Sequence, residues 1–318
     1  MNTTATAVLE ADRGDTASPL DASGLSTVND WITLLKPRVL TLVVFTGWIG
    51  LLVAPGNLHP ILGFTAILAI TIAAGAAGAM NMWYDRDIDA IMSRTARRPI
   101  PAGRIAPGEA LVYAITLAAG SVILMALATN LFAALLLAAS IAFYVVIYTM
   151  WLKRRTAQNI VIGGAAGAFP PLIGWAAATG SIDVMPILLF AIIFFWTPPH
   201  FWALSLYAHA DYRRAGVPML PVVAGARSTR RHIFAYTLLL VPVTLSPWLL
   251  NLAGPVYGLS ALTLGLAFLW YSWRTLTDKQ DASGVSQTKD APARATFRYS
   301  ILYLFVLFTA LAVDHFVR

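Results

Sequence analysis

The chain has 318 residues, of which 58% are hydrophobic and only 12% charged, with a net charge of +7 at pH 7 and a mean hydropathy of +0.70. That much apolar surface exceeds what one compact core can bury, so a soluble globular domain is excluded and a polytopic membrane protein is implied. The sequence has no cysteine, which also excludes disulfides and thiolate metal sites.

Residues 1–30 are polar and carry Glu10, Asp12, Asp15, Asp21 and Asp30 against Arg13 alone, the reverse of an Arg-rich, acid-poor mitochondrial transit peptide. They are read as a disordered cytoplasmic tail of a bacterial protein, with no cleavable signal before the first span. Residues 31–318 form the membrane domain. Apolar stretches of about 20 residues predict nine spans, at 38–54, 61–84, 108–128, 131–151, 158–178, 185–207, 233–251, 255–273 and 297–316. The expected fold is therefore all-α, a bundle of about nine transmembrane helices. The first stretch is short and the third and fourth nearly touch, so eight spans is the alternative.

With nine spans, 21 of the 22 Lys and Arg residues fall on one side of the membrane, and only Arg318 on the other. The positive-inside rule makes the N-terminus and the even-numbered connections cytoplasmic. In a bacterium this is the cytoplasmic (inner) membrane. The positive charge is thus a topology signal and requires no nucleic acid. Residues 278–294 are polar without an apolar period, which predicts a flexible loop.

Two of the cytoplasmic connections carry chemistry. Residues 81–104, NMWYDRDIDAIMSRTARRPIPAGR, put three aspartates and five arginines at the mouth of the second span. Asn81, Asp85 and Asp89 are spaced by four, which holds them within an arc of about 80° on one helical face, while Asp87 points away. Like charges at this spacing repel unless a hard cation sits between them, and Mg²⁺ typically takes one or two carboxylates plus waters and phosphate oxygens. Arg94, Arg97 and Arg98 supply forked donors for phosphate, and Pro99 and Pro101 let this strip fold back. A solvated interfacial cap is the competing reading.

Residues 197–222, TPPHFWALSLYAHADYRRAGVPMLPV, form the second. Pro198 and Pro199 free carbonyls inside an apolar span, and His200 follows. On a continuous helix His200, Tyr207 and Asp211 share a face, with Asp211 about 16 Å above His200 at the cytoplasmic mouth. An ionisable residue inside the membrane is a functional candidate; the competing role for His200 is to repair the proline kink. Together the two mouths suggest Mg²⁺ and a diphosphate above an apolar shaft holding a hydrocarbon tail. Metal and arginines would neutralise an allylic diphosphate leaving group. Aromatic faces, Tyr148, Trp202 and Tyr207 among them, would stabilise the resulting carbocation.

These motifs, NMWYDRDID with RPIPAGR, then TPPHFWAL and DYRRAGVPMLPV, resemble the UbiA-type intramembrane prenyltransferase superfamily over residues 31–316, and within it the branch that farnesylates haem. The resemblance implies a nine-helix bundle with Mg²⁺-dependent transfer of a farnesyl group from farnesyl diphosphate to a vinyl group of haem b, followed by addition of water to give haem O. It implies metal binding by Asn81, Asp85, Asp89 and Asp211, with catalysis carried by the three aspartates. Arg94, Arg97, Arg98, Lys153 and Arg154 would hold the diphosphate, with Gln158 and Asn159 as further contacts. A haem pocket at His200, Tyr207, Trp202 and Tyr148 would have His200 orienting or ligating iron. The superfamily's second motif commonly has two aspartates four apart, whereas here Asp211 is followed by Ala215. Candidate partners are the lipid bilayer, haem A synthase and oxidase assembly proteins. A polyprenyltransferase acting on a quinone precursor is the alternative. A secondary transporter is disfavoured because the acids lie at the mouths and only one span is expected to be broken by paired prolines.

Overall fold

A computed structural model describes residues 26–282 and 284–318. Most of them are helical. The helices are α1 (Val28–Leu34), α2 (Pro37–Leu52), α3 (Pro60–Tyr84), α4 (Arg86–Ile91), α5 (Pro107–Ala128) and α6 (Leu131–Ala142). Helix α6 continues as a π-helical segment, Phe143–Leu152. After it come α7 (Asn159–Thr179), α8 (Val184–Tyr207), α9 (His209–Arg214), α10 (Leu220–Val223), α11 (Gly225–Leu249), α12 (Pro255–Leu276) and α13 (Ala291–Val317). Among the described residues, eight helices, α6 and its π-helical continuation counting as one, are long and apolar enough to cross a membrane, and a ninth span results if α1 and the short α2, bent by 58° at their break, are counted as one.

The expected tail ends earlier than residue 30. Thr27 and Asp30 form a reciprocal capping box that starts α1, and buried Asp30 also accepts a hydrogen bond from Arg104 Nε at 2.7 Å. Residues 1–25 of that tail lie outside the described residues.

Small residues let the helices approach closely. Ala66, Ala69 and Ala73 of α3 and Ala110 and Ala114 of α5 are almost completely buried. Between α2 and α7 the backbones touch: a Cβ on Gly50 would overlap the Pro171 carbonyl, and one on Gly174 would overlap the Gly47 carbonyl. Gly174→Ala is expected to cost about 1–3 kcal/mol as an overpacked site, seen as a lower thermal midpoint in detergent. Gly167→Ala, whose added methyl meets nothing within 4 Å, should leave the midpoint unchanged.

Contrary to the expectation of one broken span, helix α7 carries a second proline pair, Pro170 and Pro171, beside that of α8. Paired prolines therefore do not separate an enzyme from a transporter here.

The loop between α12 and α13, expected to be flexible, is built around a buried cation. Arg230 of α11 is 1% exposed and reaches Asp290 at 2.9 Å, Asp278 at 3.5 Å and the Gly284 carbonyl at 3.0 Å. Asp278 in turn accepts hydrogen bonds from Ser286 and Thr288, both at 2.7 Å.

Candidate active site

The Asn81, Asp85 and Asp89 face forms as the spacing predicts. Asp85 sits at the joint between α3 and α4, and the i+4 backbone bonds run across it, Asp85 N to Asn81 O at 2.9 Å and Asp89 N to Asp85 O at 2.8 Å. Both aspartates are fully buried. Asn81 Nδ2 donates to Asp85 Oδ2 at 2.7 Å and to Thr149 Oγ1 at 3.2 Å, while its Oδ1 accepts from Lys36 Nζ at 2.6 Å. Lys153 pairs with Asp85, Arg154 lies 3.5 Å from the same carboxylate, and Arg98 Nη1 meets Asp89 Oδ2 at 2.5 Å. Three carboxylates, counting exposed Asp87, thus face the cations Lys36, Arg98, Lys153 and Arg154. Hydrogen bonds from Arg154 at 2.6 and 2.7 Å hold Asp87 below the usual carboxylate range.

The basic strip folds back as the prolines suggest, because Ile100 and Ile105 bury themselves beside Leu34, Met82 and Ala110. Thr95 ties it down by donating to the Asp89 carbonyl at 2.8 Å. Arg94 donates to Tyr212 OH at 3.2 Å. Arg97 does not join the cluster: its carbonyl accepts from Arg104 and its side chain is exposed.

Asp211 is not on one continuous helix with His200. Helix α8 ends at Tyr207 and the chain turns at Ala208, so Asp211 leaves the face of His200. It accepts hydrogen bonds from Ser93 Oγ at 2.9 and 3.0 Å and pairs with Arg214. Burial raises its pKa, but these donors outweigh that effect and hold it below the usual range. Among the described residues, no three acidic, imidazole or thiol side chains come together as ligands for one metal ion. Asp211 joins the two mouths through Ser93 instead.

The imidazole of His200 is sandwiched between Trp196 (centroids 4.3 Å apart, 17°) and Phe297 of α13 (4.7 Å, 24°). Its Nδ1 lies 2.6 Å from Ser300 Oγ. Ser300 Oγ also lies 2.7 Å from the Phe297 carbonyl, so Nδ1 is engaged within the bundle and Nε2 is the other ring nitrogen. Tyr207 lies edge-on to Phe297, 6.3 Å between centroids. Tyr148 projects from the π-helical segment into space that exists only because residue 163 is glycine: a Cβ there would overlap the ring. Trp202 is not in this pocket. Two residues along an α-helix is a turn of about 200°, which points Trp202 at His232 and Tyr236 of α11, where it packs with Leu206, Ile233 and Ala293.

The donors fit a hard cation. Asp89 Oδ1 is buried with no hydrogen-bond partner, as is Asn159 Oδ1, and every candidate ligand is an oxygen, the donor type Mg²⁺ prefers. Gln158, by contrast, is exposed. Lys36, Ser93, Thr149 and Ser300 are the site residues that sequence reasoning missed. Each meets its partner from a distant segment.

Residues 42–301 match the model of the UbiA prenyltransferase family, and the chain belongs to that family. It is 70% identical to the protoheme IX farnesyltransferase of Acidiphilium cryptum, over 100% of this chain and 98% of that one. To the protoheme IX farnesyltransferase of Granulibacter bethesdensis it is 67% identical, over 98% and 99%. Among solved structures, a digeranylgeranylglyceryl phosphate synthase superposes with a TM-score of 0.73 at 17% identity, over 91% of this chain and 99% of that one. A UbiA homolog from Archaeoglobus fulgidus bound to DMAPP and Mg²⁺ does so with 0.65 at 16%, over 88% and 99%. These two show a shared fold.

Proposed function

We propose that the chain transfers a farnesyl group from farnesyl diphosphate to a vinyl group of protohaem IX, with addition of water. The observation that carries this reading is a buried, oxygen-rich Asn81–Asp85–Asp89 face surrounded by Lys36, Arg98, Lys153 and Arg154 at the mouth of an apolar bundle. Relatives at 61–70% identity bearing the protoheme IX farnesyltransferase name support it.

Asp85 and Asp89, with the amide oxygen of Asn81, would hold Mg²⁺, which draws charge from the departing diphosphate. Because the diphosphate supplies ligands of its own, two protein carboxylates suffice. Lys153 and Arg98 occupy the two carboxylates and Lys36 the Asn81 amide oxygen in this structure; with the substrate bound they turn to its phosphate oxygens and free the metal-binding oxygens. As the farnesyl C1–O bond breaks, the terminal vinyl carbon supplies its π electrons to C1. Water then closes the cation left on the carbon next to the ring and a proton departs, leaving a hydroxyl. The wall of rings formed by Phe143, Phe169, Phe190 and Phe194 keeps bulk water from the prenyl cation. Phe169 lies about 15 Å along α7 from Asn159 at 1.5 Å per residue, the direction in which a prenyl tail would run. His200 offers Nε2 to the acceptor iron. We place the mouth and the N-terminus on the cytoplasmic side of a bacterial inner membrane, from which haem O would pass to a terminal oxidase or to haem A synthase.

Incubating the purified protein with haem b, farnesyl diphosphate and Mg²⁺ should yield a pigment heavier by one farnesyl group plus one hydroxyl. His200→Asn should impair use of haem more than use of farnesyl diphosphate. Diphosphate release with a phenolic acceptor and no haem product would overturn the assignment.

A further inference from the structure

Arg98, Arg154 and Arg214 at the mouth are each ion-paired with an aspartate. Arg94, Arg294 and Arg298 form no ion pair among the described residues. The Arg294 guanidinium lies over the Tyr207 ring, 4.3 Å from its centroid, and Arg298 follows it about one turn along α13; Arg94 lies over the Tyr212 ring, 5.9 Å from its centroid, and donates to its hydroxyl at 3.2 Å. The positive-inside rule accounts for their side of the membrane but not for the seating of Arg94 and Arg294 on aromatic rings without an acid.

Their placement relative to His200 is specific. Arg294, Phe297 and Ser300 are spaced by three along α13, so they lie on one side of that helix. Ser300 Oγ meets Nδ1 of His200, Phe297 stacks on its ring, and Arg294 stands about 9 Å further toward the mouth at 1.5 Å per residue. An imidazole nitrogen, a flat aromatic wall and a cluster of guanidinium groups therefore follow one another in a line. That order suits a flat macrocycle whose carboxylates lie on one edge. Guanidinium forks bind carboxylates in two-point contacts, and Tyr207 stiffens one of them by stacking.

Resting on the function proposed above, we infer that Arg294 and Arg298, with Arg94, bind the propionate carboxylates of the acceptor and so set the orientation of the macrocycle in its own plane. They form an anion site separate from the one that takes the diphosphate. Both α13 arginines are exposed, so replacing them leaves the packed bundle intact.

The test is a Soret-band titration of the purified full-length protein with haem b and with its propionate dimethyl ester, alongside Arg294→Gln, Arg298→Gln and the double variant. The double variant should bind haem b about 10-fold or more weaker, bind the dimethyl ester as the unaltered protein does, and keep its KM for farnesyl diphosphate. Haem b binding indifferent to the arginines would overturn this inference alone, as would a raised KM for farnesyl diphosphate with haem binding unchanged, which would assign them to the donor. No binding of haem by the unaltered protein would overturn the proposed function with it.

Discussion

Asp85→Asn and Asp89→Asn are each expected to lower turnover by about 10²–10³-fold, the scale on which removal of one group that stabilises developing charge acts. The two should differ in kind. Asp85 is the convergence point of Asn81, Lys153 and Arg154, so its loss leaves the ammonium of Lys153 without its anion and should lower the thermal midpoint as well as the rate. Asp89 has one oxygen on Arg98 and the other buried and free. Its replacement should act mainly on catalysis and weaken the dependence of rate on Mg²⁺ concentration. Asp87→Asn is the control. Its carboxylate side chain is 60% exposed and pairs with Arg154, and exposed pairs are worth about 0–1 kcal/mol; turnover within about fivefold of the unaltered protein is expected. Initial rates of haem product over a Mg²⁺ series decide the matter. Full activity in either of the first two variants would remove the metal reading of this face.

Arg230→Gln should produce the largest loss of stability. The guanidinium is 1% exposed and faces Asp278 and Asp290 across the α12–α13 loop. Taking away one partner of a buried ion pair strands the other charge, which costs about 3–5 kcal/mol. Gln keeps donors for the Gly284 carbonyl but cannot neutralise two aspartates. The thermal midpoint in detergent should fall steeply, and limited proteolysis should begin to cut within 278–290. Replacing Arg230, Asp278 and Asp290 together by neutral side chains should recover part of the loss, since removing an entire buried network is often close to neutral. An unchanged midpoint in Arg230→Gln would mean that the loop is held by its own Ser286 and Thr288 contacts.

How much of this could be read in the sequence depended on whether the signal was local. Long apolar runs marked the spans, and spacing by four marked Asn81, Asp85 and Asp89, because a helix carries that geometry within a few residues. The start of α11 was placed at 233 instead of Gly225 because Arg227, Arg230 and Arg231 depress local hydropathy; the helix persists because Arg230 finds its acids in a segment more than 45 residues downstream. The same long-range pairing orders a loop whose composition alone reads as flexible. A turn at Ala208 takes Asp211 off the helix that carries His200, and about half a helical turn separates Trp202 from His200. Lys36, Thr149 and Ser300 arrive at the site from other helices, and no pattern in their own neighbourhood marks the partner.

The π-helical stretch Phe143–Leu152 separates two properties of one span. Anchoring depends on length and oiliness, which a single-residue deletion there would scarcely alter. Aim depends on register: the Thr149 hydroxyl bonds to the carbonyl five residues back, and losing one residue would swing everything on one side of the deletion through about 100° relative to the other, taking Lys153 away from Asp85. The helix would remain a sound membrane anchor while ceasing to serve the reaction. Insertions and deletions in this segment are therefore a route by which a bundle of this shape can gain or lose chemistry without refolding.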